Sequence, residues 1–166
     1  MDLSPTLILI HVLASLVFVI AHAVSAVAMF QVRGQSDRAV LTATLNRSSK
    51  ALIVAVIALL VLLIAGVILC FVGGWWGSPW IWVSLVLFVG VGVGGAMTPF
   101  AAIPMRDVRA ALGIQVRKPK PGEPPPGPKS DEELAAARAA LRPELVLVIG
   151  LASLIAITWL MVTKPF

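Results

Sequence analysis

Charge is scarce in this chain. Lys, Arg, Asp and Glu make up 13% of its 166 residues, about half the roughly 25% of an average soluble protein. Cysteine is scarcer still: Cys70 stands alone, so no disulfide can form within the chain and thiol usage says nothing about redox compartment. In its apolar surroundings it reads as a small packing residue. No Ser/His/Asp set, carboxylate pair, phosphate-cradling glycine loop or zinc-type Cys/His spacing is present, which excludes the usual sequence signatures of a soluble-type hydrolase. The apolar runs contain no carboxylate, so a proton relay through them would lack a partner for histidine.

What is present is hydrophobicity, 59% of residues with a mean hydropathy of +0.98. A helix needs roughly 20 residues to cross about 30 Å of hydrocarbon, and four runs reach that length: about Thr6–Phe30, Ala51–Val72, Pro79–Thr98 and Leu145–Val162. The prediction is an all-α integral membrane four-helix bundle. Residues 1–113 hold three transmembrane helices, about 6–30, 51–72 and 79–98, and a short interfacial segment. Residues 114–130 form a proline-rich cytoplasmic linker, and 131–166 a cytoplasmic helix leading into the fourth span, about 145–162. The first run is preceded by Asp2 and by no Lys or Arg, and is too long for a signal peptide, so it reads as a retained span.

The formal net charge of +5 is a topology signal rather than a nucleic-acid footprint. Arg33, Arg38, Arg47 and Lys50 face only Asp37 between the first two runs, eight basic and six acidic residues lie between the last two, and Gly73–Ser78 carries no charge. The positive-inside rule then puts both charged loops in the cytoplasm and both termini outside, where the basic excess also attracts anionic lipid. Trp75, Trp76, Trp80, Trp82 and Trp159 all fall at the opposite interface, the place amphipathic indoles prefer. They read as interface anchors, because no charged group accompanies them in sequence as a ligand cage would require.

Local signals divide the chain further. Gly34 with Gln35 and Ser36 ends the first helix, and a short polar connector follows in which Asn46 or Ser48 is placed to cap the second. Gly90 and Gly94 form a GxxxG pair, which predicts close packing of the third helix on a neighbour. Pro99 and Pro104 weaken the helix as it leaves the membrane, and Met105–Leu112 reads as a short amphipathic surface piece. Lys118–Lys129, KPKPGEPPPGPK, predicts an extended, mobile linker of polyproline character. Ser130 and Glu133 form a capping box ahead of an alanine-rich helix, and Pro143 permits a change of direction before the last span.

The two ionisable residues inside the apolar runs are His11 and His22, and intramembrane ionisable groups usually face a protein interior and often mark function. Eleven residues of ideal helix bring them within about 20° of the same direction and roughly 16 Å apart. That spacing is like the stacked axial histidines of membrane cytochromes. Two histidines are half the number that bis-histidine ligation of two haems needs. Methionine also ligates haem iron, and by depth Met161 could serve His11 and Met97 could serve His22; sharing across a homodimer is the other route. Copper, which favours thioether and imidazole, is the other ligand. The structural alternative is that each imidazole bonds a backbone carbonyl or a hydroxyl such as Ser15, Ser25 or Ser84 and fixes helix packing.

The stretches HVLASLVFVIAHAVSAVAMFQVRGQSD, LNRSSKA, AGVILCFVGGWWGSPWIWVSLVLF and PFAAIPMRDVRAALG resemble a group of uncharacterised small bacterial four-helix membrane proteins, distantly similar to copper-resistance D-type proteins. The resemblance covers most of the first 113 residues; the proline-rich loop and last span match only in general character. It implies the four-span fold, multi-pass residence in the bacterial inner (plasma) membrane and a histidine on the first span, and no established reaction. Taken together, the sequence predicts a non-enzymatic subunit or interaction module, contacting the lipid bilayer and either other membrane subunits or a second copy of itself. The alternative is a haem b- or copper-binding redox or transport protein using His11 and His22.

Overall fold

The structure is a computed structural model that describes residues 4–96, 99, 101–116 and 126–165. These residues form six α-helices and no strand: α1 Ser4–Gly34, α2 Arg38–Val72, α3 Pro79–Ala96, α4 Ala102–Ala111, α5 Asp131–Ala139 and α6 Pro143–Thr163, with a 3-10 turn at Trp75–Gly77. Three stretches are long and apolar enough to cross a bilayer, Ser4–Gly34, Arg38–Gly73 and Asp131–Thr163, and Pro79–Gly90 is a shorter apolar one. Met97 and Thr98, read from sequence as the end of the third span, lie outside the described residues.

α1 and α2 make an antiparallel hairpin whose turn differs from the sequence expectation. The cap of α2 is Asp37, whose carboxylate accepts from the amides of Ala39 at 2.7 Å and Val40 at 3.2 Å. Two of the free amides at the helix start are thereby satisfied, and the helix runs unbroken through the supposed polar connector. Asn46 and Ser48 are therefore mid-helix, not caps. The reason is a stripe: Leu41, Thr44, Leu45 and Ser48 are all buried at spacings of three, four and seven, one helical face.

The size of the buried side chains changes along the molecule. Ala14, Ala21, Ala26 and Ala28 of α1 and Ala55, Ala58 and Ala65 of α2 are buried. Ala14, Ala21 and Ala28 recur every seven residues, as do Ala58 and Ala65, which gives the hairpin a seam of small residues. Lipid is as apolar as a leucine, so helices inside it associate by close packing rather than by hydrophobic drive. By contrast, the largest fully buried side chains, Leu41, Leu45, Leu141, Val32, Val108 and Pro143, all lie at the charged-loop end. Water is the alternative environment there, and burying each Leu or Val is worth about 1.5–3 kcal/mol.

That end is closed by a cap of α4 and α5, packed on α1 and α2 through Met29, Val32, Leu41, Leu45, Ala101, Val108, Ala111, Leu134 and Leu141. The first part of the proline-rich stretch, residues 117–125, lies outside the described residues. Its last part is docked rather than mobile, since the amide of Lys129 donates to the Ala111 carbonyl at 2.9 Å. Gly113, at φ 76°, lies so close to the backbone of Pro126 and Pro128 that a Cβ would come within 3.1 Å of it; only glycine suits both constraints. The capping box of Ser130 and Glu133 is formed. α5 ends at Ala139 and α6 begins on Pro143, so the chain turns there. α6 then passes α1 and packs on α3, with Leu160 joining Cys70, Trp80 and Ile81 in a second core.

Candidate functional site

Both intramembrane histidines sit on glycines, and on different helices. A Cβ at Gly66 of α2 would lie 2.9 Å from His11 Cε1, and a Cβ at Gly150 of α6 would lie 3.3 Å from His22 Nε2. His22 is also stacked on Phe18, with centroids 5.7 Å apart. The near-equal direction of the two histidines thus falls where α1 meets two neighbours, α2 at the height of His11 and α6 at that of His22. Nδ1 of His11 is buried and approaches the Leu62 backbone of α2 without a hydrogen bond of ordinary geometry. Ser15, Ser25 and Ser84 do not partner the imidazoles: they donate to the carbonyls of Val12, Ala21 and Trp80.

The other sequence candidates are scattered. Met161 is partly exposed on α6, and Met97 lies outside the described residues. Among the described residues no three His, Cys, Asp or Glu side chains converge on a common point. Cys70 is buried in the core of Trp80, Ile81 and Leu160. Among the described residues no atom approaches within 4 Å of a Cβ built on Gly90, so α3 is open at that position. Gly94 lies in the same helix.

The tryptophans form a connected cluster at the end opposite the charged loops. Trp75 packs on Trp80 and Trp76 on Trp82, at centroid distances of 5.9 and 5.7 Å, and Trp82 Nε1 donates to the Trp76 carbonyl at 3.0 Å. Trp82 and Trp159 are exposed, but Trp80 is only 3% exposed and belongs to the core rather than to the lipid boundary. A cation does accompany the rings: Lys164 Nζ lies 4.0 Å from the Trp75 centroid. Far apart in sequence, the two meet because α6 ends beside the α2–α3 link.

At the charged-loop end the arginines have separate tasks. Arg33 pairs with Glu144 at 2.6 Å. Arg38 bridges Asp131 at 2.7 Å and the Lys129 carbonyl at 2.8 Å. Arg138 donates to the Gln35 carbonyl. Arg109 donates to the Leu45 carbonyl at 2.8 Å and Ser49 Oγ at 2.6 Å, and its partial burial lowers its pKa from the usual value. Arg47 is exposed and makes no hydrogen bond or ion pair within the described residues. It stands at one end of a groove of about 480 Å³ between α1 and α2, lined by Ile20, Ala23, Val24, Val27, Ala28, Gln31, Thr44, Arg47 and Ser48.

A family model described as "Predicted integral membrane protein (DUF2269)" matches residues 5–122. The chain belongs to that family. No match is found among curated proteins or among solved structures. The part of this DUF2269 chain that the family model covers includes both histidines, the tryptophan-rich link, the groove and α4.

Sequence reasoning read the basic residues of this DUF2269 protein as an orientation signal and missed the clasps made by Arg38, Arg109 and Arg138. The readable clue was Asp37 directly after the Gly34 break, which starts α2 thirteen residues before the apolar run and puts Arg38 and Ser49 on helix. The glycine seats of His11 and His22 have no local signal, because each pair joins distant helices.

Proposed function

We propose that this protein is a four-span, non-enzymatic subunit or interaction module of the bacterial inner membrane, with both termini outside and the α4–α5 cap in the cytoplasm. The observation that carries this reading is the cap. The chain places its largest buried side chains and most of its charged hydrogen bonds in a surface fixed at the charged-loop end, while its polar groups inside the spans are dispersed. Such a molecule presents a shaped surface rather than a reaction centre. The open Gly90 face of α3 offers a second helix, from another subunit or another copy, the close approach that small residues allow.

The test is native mass spectrometry on protein extracted gently from its own membrane. The expected result is a complex of fixed stoichiometry that survives His11→Gln with His22→Gln and dissociates with Gly90→Leu. A monomer in every extraction condition overturns the reading.

One observation favours a second reading, ligation of haem b or copper by His11 and His22: the Nδ1 of His11 is buried with no hydrogen bond of ordinary geometry beyond its approach to the Leu62 backbone. The separate seats of the two imidazoles fit two independent sites and not one shared site. A Soret band or stoichiometric copper in the same preparation, lost in the double variant, supports this alternative. Neither signal in native material removes it.

A further inference from the structure

We propose that the groove between α1 and α2 is a binding site for one anionic phospholipid of the leaflet that borders the charged loops. Its walls follow the chemistry of such a lipid. Ile20, Val24, Val27 and Gln31 fall at spacings of four, seven and eleven along α1, one helical face; the first three are exposed apolar side chains and the last is polar. Thr44, Arg47 and Ser48 of α2 complete the polar end. Gln31 lies two residues from Arg33, whose pair with Glu144 sits at the foot of α6. The polar end is therefore at headgroup height, and the apolar end runs toward the bilayer centre.

Two features of the polar end point to a ligand. Thr44 and Ser48 are 9% and 7% exposed, yet neither hydroxyl has a hydrogen-bond partner among the described residues, in contrast to Thr42 and Ser49 on the same helix, which donate to Arg38 and Leu45 carbonyls. Both open onto the groove. Beside them Arg47 is an unpaired cation, whereas Arg33, Arg38, Arg109 and Arg138 are all engaged. Two free hydroxyls, an amide and an uncompensated guanidinium suit phosphate oxygens, which accept hydrogen bonds and carry the opposite charge. The volume is within the range of small-ligand pockets. α6 does not cover the groove, since it meets α1 at His22, about 160° around the helix from Val24.

Native mass spectrometry of the full chain in nanodiscs of equal phosphatidylglycerol and phosphatidylcholine with matched acyl chains tests this. One retained phosphatidylglycerol is expected, favoured about fivefold over phosphatidylcholine, as one arginine near the surface provides. Arg47→Ala should abolish the preference, the pair Thr44→Val with Ser48→Ala should lower retention of both lipids, whose phosphates are alike, and Lys50→Ala, a neighbouring exposed cation, should do neither. Inorganic phosphate should not compete. A diazirine on the lipid acyl chain should label Ile20, Val24 and Val27, a readout independent of any variant. Equal retention of the two lipids, an unchanged preference in Arg47→Ala, an equal loss in Lys50→Ala, competition by free phosphate, or labelling elsewhere would each overturn the proposal.

Discussion

The ammonium of Lys164 lies 4.0 Å from the ring centroid of Trp75 and 5.7 Å from that of Trp80. Lys164 itself ends α6, in the left-handed conformation at φ 45°. A cation over an indole is worth about 0.5–1 kcal/mol at an exposed site. Lys164→Gln should lower stability by about that amount and shift the tryptophan emission, while Lys164→Arg should preserve both. Emission and thermal midpoint unchanged in Lys164→Gln would mean the contact is not maintained.

The seat of His11 on Gly66 predicts a change of sign. Gly66→Ala adds a Cβ 2.9 Å from His11 Cε1, and crowding a packed site costs about 1–3 kcal/mol. In a His11→Ala background the same change removes only backbone freedom and should stabilise by about 0.5–1 kcal/mol. The double-mutant cycle measures the coupling; equal effects in the two backgrounds would show that the two residues do not touch.

Arg109 and the Arg38–Asp131 pair look alike in sequence and should behave differently. Arg109 is partly buried and holds the Leu45 carbonyl and Ser49 Oγ, so Arg109→Met should cost about 1.5–3 kcal/mol, the worth of hydrogen bonds to a charged group. Asp131 is almost fully exposed, and Asp131→Asn should cost less than about 1 kcal/mol. Chemical unfolding in detergent ranks the two, and the reverse order would remove Arg109 from the cap.

α5 should loosen on acidification. The Glu133 carboxyl is held below its usual range, first by its hydrogen bond with Lys129 and then by the Ser130 amide. A carboxylate whose folded pKa is lowered contributes stability that is complete above the unfolded value, here 4.5, and disappears as pH falls through the lowered folded value. Protection factors of the amides in the first turn of α5, taken relative to intrinsic exchange at each pH, should therefore fall below the ordinary glutamate range. Glu133→Gln should flatten that dependence; an equal fall in the variant would assign it to another group.

The apolar runs were legible because crossing hydrocarbon sets a length, and the capping box at Ser130 and Glu133 because its partners are three residues apart. The start of α2 was misread because Thr42 to Lys50 is polar in composition; its buried periodicity, Leu41, Thr44, Leu45 and Ser48, was the better guide. Trp80 looks like its neighbours in sequence, and only the arrival of Leu160 from α6 makes it core. Among the described residues nothing lies against Gly90, while small residues are buried at Ala14, Ala21, Ala58 and Ala65. Whether a small residue meets a neighbour depends on which helix stands opposite, and no local pattern records that.

α2 begins at Arg38, while its apolar run begins near Ala51. Those thirteen residues add about 20 Å of helix at 1.5 Å per residue, and the three-residue turn at 35–37 sets them beside the last turns of α1. One continuous helix therefore carries both kinds of packing, the small-residue seam at Ala55, Ala58 and Ala65 and the leucine stripe that seats α4 and α5. The position of the cap is thereby tied to the tilt of a single helix, so a change in how α2 leans against α1 is transmitted to the charged-loop end without a hinge between them.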